Sequence, residues 1–159
     1  MKSFTLIEIM IASAIFALIS LMMGGIFIST QEAQKRQRDK IELLEEANWA
    51  MEFMCNELRQ AQLNSIPLNW NRDFIRFRSR TGSIIRYQRD PLQNSLLCRC
   101  EGGGGCRCSL PASNTAQITQ YISNINFQRP AGKNFVIITF TLQKGGYSYT
   151  LQSSVRPRN

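Results

Sequence analysis

Five cysteines and a run of arginines are the residues whose types and spacing could do chemistry. Cys98-Arg99-Cys100 and Cys106-Arg107-Cys108 flank Glu101-Gly102-Gly103-Gly104-Gly105. If the two flanks pair as strands, residues on one face oppose each other as Cys98 with Cys108 and Cys100 with Cys106. In an oxidising compartment that arrangement makes two nested disulfides. The same four thiolates could instead hold zinc, although a CxC spacing is tighter than the CxxC usual in such sites. Disulfides, with no metal and no cofactor, are the expectation. Cys55 reads either as a buried small apolar residue or as a partner for one loop cysteine, and spacing alone leaves the connectivity open.

Arg76, Arg78 and Arg80 alternate with Ile75 and Phe77, which puts the three arginines on one face of a strand. Arg86, Arg89, Arg99 and Arg107 add charge in the same half of the chain. Such a stripe could meet nucleic-acid phosphates or anionic lipid headgroups. It also makes a solvated outer face that discourages edge-to-edge pairing, and that is the expectation because no nucleic-acid-binding motif accompanies it. The formal charge is +8 and there is no histidine. Ser-His-Asp catalysis, Cys-His pairs and histidine-ligated metals are therefore excluded. No segment fits GxxxxGK[ST], GxGxxG or GxSxG in its required context. The chain reads as non-enzymatic.

The first element that must position these groups is apolar. Residues 9–28 read IMIASAIFALISLMMGGIFI, without a charge. At ~1.5 Å rise per residue they span about 30 Å, the thickness of a bilayer's hydrocarbon core. A buried core helix normally keeps a polar stripe over such a length, and this segment has none. A cleavable secretory signal is the competing interpretation, with Lys2 as a positive start and Ala12-Ser13-Ala14 resembling a cleavage site. That triplet sits mid-run, however, and the run exceeds the roughly 7–15 residues of a signal core. A membrane span is expected. Lys2 precedes it while Lys35, Arg36 and Arg38 follow it, so charge counts leave its orientation open.

Residues 29–64 are polar and helix-favouring. Within them Ile41, Leu44, Ala47, Ala50, Met51, Met54, Leu58 and Ala61 recur at spacings of three and four, marking one apolar face that needs a cover. Neither proline nor glycine interrupts after Gly25, which predicts one continuous helix of about sixty residues, near 90 Å long. A compact domain of about a hundred residues cannot enclose such a rod, so its first half belongs in the membrane. Pro67 closes the helical region. Beyond it the texture is β: residues 74–79 and 83–88 flank a turn at Arg80-Thr81-Gly82, and 134–143 and 147–155 flank Lys144-Gly145-Gly146. Residues 118–127 are a further strand candidate. The expected fold class is α+β: a long amino-terminal helix, transmembrane in its first half and amphipathic in its second, packed on an antiparallel β head.

Phe4-Thr5-Leu6-Ile7-Glu8, followed at once by the apolar span, resembles the amino-terminal signature of type IV pilins and pseudopilins. The resemblance is close over about the first thirty residues, and the order of helix then sheet is similar to the family's architecture over the rest. It implies that a prepilin peptidase cuts between Ser3 and Phe4 and methylates the new amino group. The organisation it implies is a short leader (1–3), a transmembrane helix (4–28), its amphipathic continuation (29–64) and an antiparallel head (65–159) carrying a Cys/Gly-rich loop (98–108). Two positions depart from the family. Ser3 stands where glycine usually precedes the cut, and serine is small enough that processing is still expected. Gly24-Gly25 stands where many major pilins carry a proline; paired glycines permit a kink or close helix contact, and contact is the expectation.

Glu8 is a carboxylate at the start of a membrane helix, which costs about 3 kcal/mol unless it is partnered. Near the headgroups it would stabilise the helix amino end through the dipole. The resemblance implies a sharper role: pairing with the protonated amine of Phe4, its own or a neighbour's, during filament assembly. The function this implies is a structural minor pilin or pseudopilin in the initiation or tip of a pilus or secretion pseudopilus, similar to J-type pseudopilins and W-type minor pilins. A DNA-uptake pilin with a DNA-binding basic head is the alternative. The implied partners are other pilins through the amino-terminal helix, the inner membrane and the prepilin peptidase, with nucleic acid not favoured. The implied location is a single-pass inner-membrane anchor with the head in the periplasm or outside the cell.

Overall fold

The computed structural model describes residues 6–102, 106–108 and 114–158. Helix α1 runs from Leu6 to Arg59 without a break, through Gly24-Gly25, and the chain divides into two compact units, Met1–Asp39 and Lys40–Asn159. Among the described residues the second unit holds eight antiparallel strands: β1 (Trp70–Arg72), β2 (Ile75–Arg78), β3 (Ile84–Arg89), β4 (Leu97–Glu101), β5 (Thr115–Thr119), β6 (Ile122–Arg129), β7 (Val136–Lys144) and β8 (Tyr147–Val155). They form two four-stranded sheets, ordered β1-β6-β7-β8 and β2-β3-β4-β5. This is the expected α+β architecture, with the helix packed on sheet.

The helix stops at Arg59, short of the expected limit near residue 64. A competing partner for the backbone ends it there. Ala61 bridges to Ser79, and the Gln62 amide donates to the Arg78 carbonyl at 2.9 Å, so the edge of β2 captures the chain before Pro67 is reached. A short 3-10 turn (Leu63–Ser65) follows. Between β7 and β8 the register Lys144 to Tyr147 leaves a two-residue loop, and both its glycines have positive φ (57° and 83°). That is the conformation a tight hairpin demands and glycine adopts without strain.

Residues 118–127 are not one strand. The chain breaks at Gln120-Tyr121 and passes from one sheet to the other, with β5 ending and β6 beginning on either side. The helix holds the crossing: the Gln120 amide donates to Glu46 at 3.1 Å and the Tyr121 hydroxyl to Glu42 at 3.1 Å. Nor do the two cysteine flanks pair as strands. β4 is hydrogen-bonded to β3 and β5, and residues 106–108 lie in irregular structure.

Leu43, Ala47, Ala50, Met51, Met54, Cys55 and Leu58 of α1 are buried in one core with the inner faces of both sheets, Ile75, Phe77 and Tyr87 from one and Phe127, Ile138 and Phe140 from the other. The apolar face expected from spacing is displaced at its start. Ile41 is 54% and Leu44 37% exposed, whereas Leu43 is buried. At 3.6 residues per turn, Ile41 falls about a third of a turn off the stripe that the later residues define.

Carboxylates on the helix flank this core. Glu57 takes two hydrogen bonds from Arg99 Nε (2.8 and 3.0 Å), an ion pair from its Nη2 (2.8 Å) and the Tyr87 hydroxyl. Burial, then the hydrogen bond to Glu57, raises the Tyr87 phenol. Burial lowers Arg99, but the charge and hydrogen bond of Glu57 outweigh it and the guanidinium is raised. Nearer the solvent, Glu42 pairs with Lys144; the hydrogen bonds from Lys144 and then Tyr121 hold the Glu42 carboxyl below its ordinary value.

Candidate functional site: an apolar helix and a basic sheet face

From Leu6 to Arg38 every side chain of α1 is exposed, and through residue 28 nearly all are apolar. The helix is long and apolar enough to cross a membrane. Its hydroxyls need no water. Ser13 donates to the Met10 carbonyl (2.9 Å), Ser20 to Phe16 (2.8 Å), Ser29 to Ile26 (2.9 Å) and Thr30 to Ile26 (2.8 Å). Such back-bonding is how a lipid-facing helix satisfies polar side chains without a solvent partner. Glu8 is the acidic residue of the first turn. Ser3 and Phe4 lie outside the described residues, and so does any pairing of Glu8 with the Phe4 amine.

The loop cysteines pair as Cys98 with Cys108 and Cys100 with Cys106, with Cα separations of 5.6 and 5.5 Å. β4 places Cys98 beside Gln88 and Cys100 beside Arg86, on the sheet face turned away from the helix. Gln88 Nε2 donates to the Cys106 carbonyl at 3.3 Å, tying Cys106 down on that face. Asp90, Cys98 and Cys108 bring three potential metal-ligand atoms within 4.8 Å of one another, but the two sulfurs are joined to each other and are not thiolate donors. Cys55 sits apart in the helix–sheet core, its Sγ 3.6 Å from Ser153 Oγ.

The arginines do not make one stripe. Arg76 and Arg78 are exposed on β2, but Arg80 lies beyond the end of that strand, in the turn closed by the Ser79 amide on the Ser83 carbonyl. Arg99 points to the opposite face and is neutralised by Glu57. Arg86 stands directly across from Arg76, with its guanidinium 5.1 Å from the Phe74 ring, and its buried Nε has no hydrogen-bond partner among the described residues. Arg72, absent from the sequence-based stripe, stacks over Trp70 (5.3 Å) and Phe74 (5.8 Å). Its signal was the alternation Trp70, Arg72, Phe74, too short to read as a strand pattern. Beside β2 opens a cavity of about 540 Å³, lined by Arg76, Arg78 and Trp70.

Residues 1–24 match the prokaryotic N-terminal methylation motif. No curated protein and no solved structure matches the chain. The motif at the head of a helix long and apolar enough to cross a membrane fits a type IV pilin-like protein.

Proposed function

We propose that this chain is a non-enzymatic minor subunit of a type IV pilus or type II secretion pseudopilus, acting in filament initiation or at the tip. One observation carries this: the methylation motif runs directly into an unbroken apolar helix. Residues 1–3 are a leader removed before Phe4, 4–28 hold the chain in the inner membrane, and 29–64 link that anchor to a head (65–159) in the periplasm or outside the cell. Prepilin peptidase makes the cut, and other pilins bind through the helix. Gly24 and Gly25 leave open space where a neighbouring helix can approach closely.

Glu8 is the residue that recruits the subunit. Removal of the leader moves the free amine to Phe4, and that amine is the partner this carboxylate takes, from its own chain or a neighbour's. Glu8→Gln keeps size and helix propensity but removes the charge. Breaking a buried ion pair costs about 3–5 kcal/mol, a weakening of about a hundredfold or more. The variant is expected to be cleaved and inserted normally yet to crosslink poorly to partner pilins through the membrane helix. Mass spectrometry of the amino-terminal peptide reads the cleavage. Recovery of Met1-Lys2-Ser3 in a host with active prepilin peptidase, or equal crosslinking of both proteins, overturns the proposal.

A further inference from the structure

The cavity beside β2 is lined by residues of the head, from Gln62 to Ile84. We propose that it receives one unstacked nucleotide of a single-stranded polynucleotide, with backbone phosphates on Arg76 and Arg78 and the base against Trp70. Arg76 and Arg78 both line the cavity, two residues apart on the exposed face of one strand, hence about 6.6 Å apart along it. Neither has a carboxylate partner among the described residues. The strand-rich part of the chain is poor in acids. From Gln60 onward the sequence has thirteen Lys or Arg against three Asp or Glu. Of those three, Glu101 faces Arg99 at 3.7 Å, and Asp90 is buried, accepting the Leu92 and Gln93 amides. Asp73, the third, is exposed.

The surroundings favour a ligand that carries both phosphate and a planar apolar part. Arg86 opposes Arg76 directly, and like charges so placed repel unless an anion lies between them. Arg72 and Arg86 are stacked on aromatic rings, which fixes the guanidinium planes before a ligand arrives. At about 540 Å³ the cavity is far larger than a phosphate requires and lies in the range of small-molecule sites. Trp70 and Ile84 give it an apolar wall, while Gln62 and Asn64 offer amides to a base edge. A duplex keeps its bases stacked inside and offers such a cavity only phosphates. A single strand presents both parts at once.

The test uses the full chain in detergent micelles and fluorescence anisotropy with labelled oligothymidylate, its duplex, and an abasic strand with the same number of phosphates. The oligothymidylate is expected to bind about tenfold more tightly than the abasic strand, because base–aromatic stacking is lost in the latter. Arg76→Ala/Arg78→Ala is expected to lower the slope of log affinity against log salt by about 1.4, for two phosphates released from a single strand. Arg156→Ala leaves that slope unchanged. Equal affinity for the abasic strand overturns the proposal by making this a general anion surface, and an unchanged slope in the double variant moves binding elsewhere. Displacement of the oligonucleotide by phosphatidylglycerol vesicles overturns it by assigning the cavity to lipid headgroups. The double variant leaves Glu8-dependent crosslinking intact, so failure here is distinct from failure of the filament proposal.

Discussion

Residues 6–28 and 43–58 belong to the same helix, yet the two stretches meet different surroundings. In the first, Leu18 and Phe16 are 59% and 73% exposed and no side chain is buried; in the second, Ala47, Ala50, Met54 and Leu58 are fully enclosed. The backbone hydrogen-bond ladder is the same in both, so helix geometry does not decide the environment. Side-chain pattern does. A stretch apolar on every side cannot be satisfied by a sheet that covers only one, and lipid is the solvent that surrounds all sides. A stretch with one apolar stripe needs cover on that stripe alone, and two sheets supply it.

The strongest way to break this contrast is to cut the same group from both stretches. Leu58→Ala removes a fully buried side chain and should destabilise the head by about 2–5 kcal/mol. Leu18→Ala should leave head stability within about 0.5 kcal/mol. Urea unfolding of the head in micelles, followed by tryptophan fluorescence, compares them. Equal losses would mean that the two stretches share one core.

A smaller effect sharpens what holds the second stretch down. Glu57→Gln leaves the half-buried Arg99 without its carboxylate and should cost about 1.5–3 kcal/mol. It also has a pH signature. The Tyr87 phenol is raised above 10.0, so its contribution is complete below that pH and is lost as pH rises through the folded value. In Glu57→Gln the tyrosinate absorbance of Tyr87 should develop at lower pH than in the parent. An unchanged alkaline titration would remove Glu57 from the network.

The smallest expected effect is at Glu42, on the solvent side. Its carboxyl is held below 4.5 by Lys144 and Tyr121, so whatever the pair contributes is present above that pH and fades as pH falls through the folded value. Lys144 is raised above 10.5, so its share fades only above that pH. Glu42→Gln should shift the melting temperature slightly at neutral pH, less in high salt, and not at all in strong acid. A large shift that salt leaves untouched would show Glu42 to be part of the buried framework.

Part of the candidate site was legible before any coordinates. The apolar run, the position of Glu8 just ahead of it and the hairpin at Gly145-Gly146 follow from local composition, because a membrane span and a tight turn are each specified by neighbours in the chain. The basic surface was not. Arg76, Arg78 and Arg80 look equivalent by alternation, but the turn at Ser79 separates the last from the others, and Arg72 joins through the Phe74 ring, over which both it and Arg86 lie.

What the sequence determined by itself was therefore whatever depends on short-range pattern: one long helix, its division into an all-apolar and a one-sided stretch, and a strand-rich remainder. Tertiary structure decided where competition between distant groups sets the outcome. The helix ends at Arg59 because the edge of β2 offers Gln62 a better backbone partner, and the strand expected at 118–127 breaks because Glu42 and Glu46 hold Gln120 and Tyr121 at the crossing between sheets. Arg99 faces the helix while Arg86 faces away, although both are arginines in β-strands of the same sheet. A strand's two faces are symmetric in sequence spacing. Only the packing of the helix against one of them makes the other the surface.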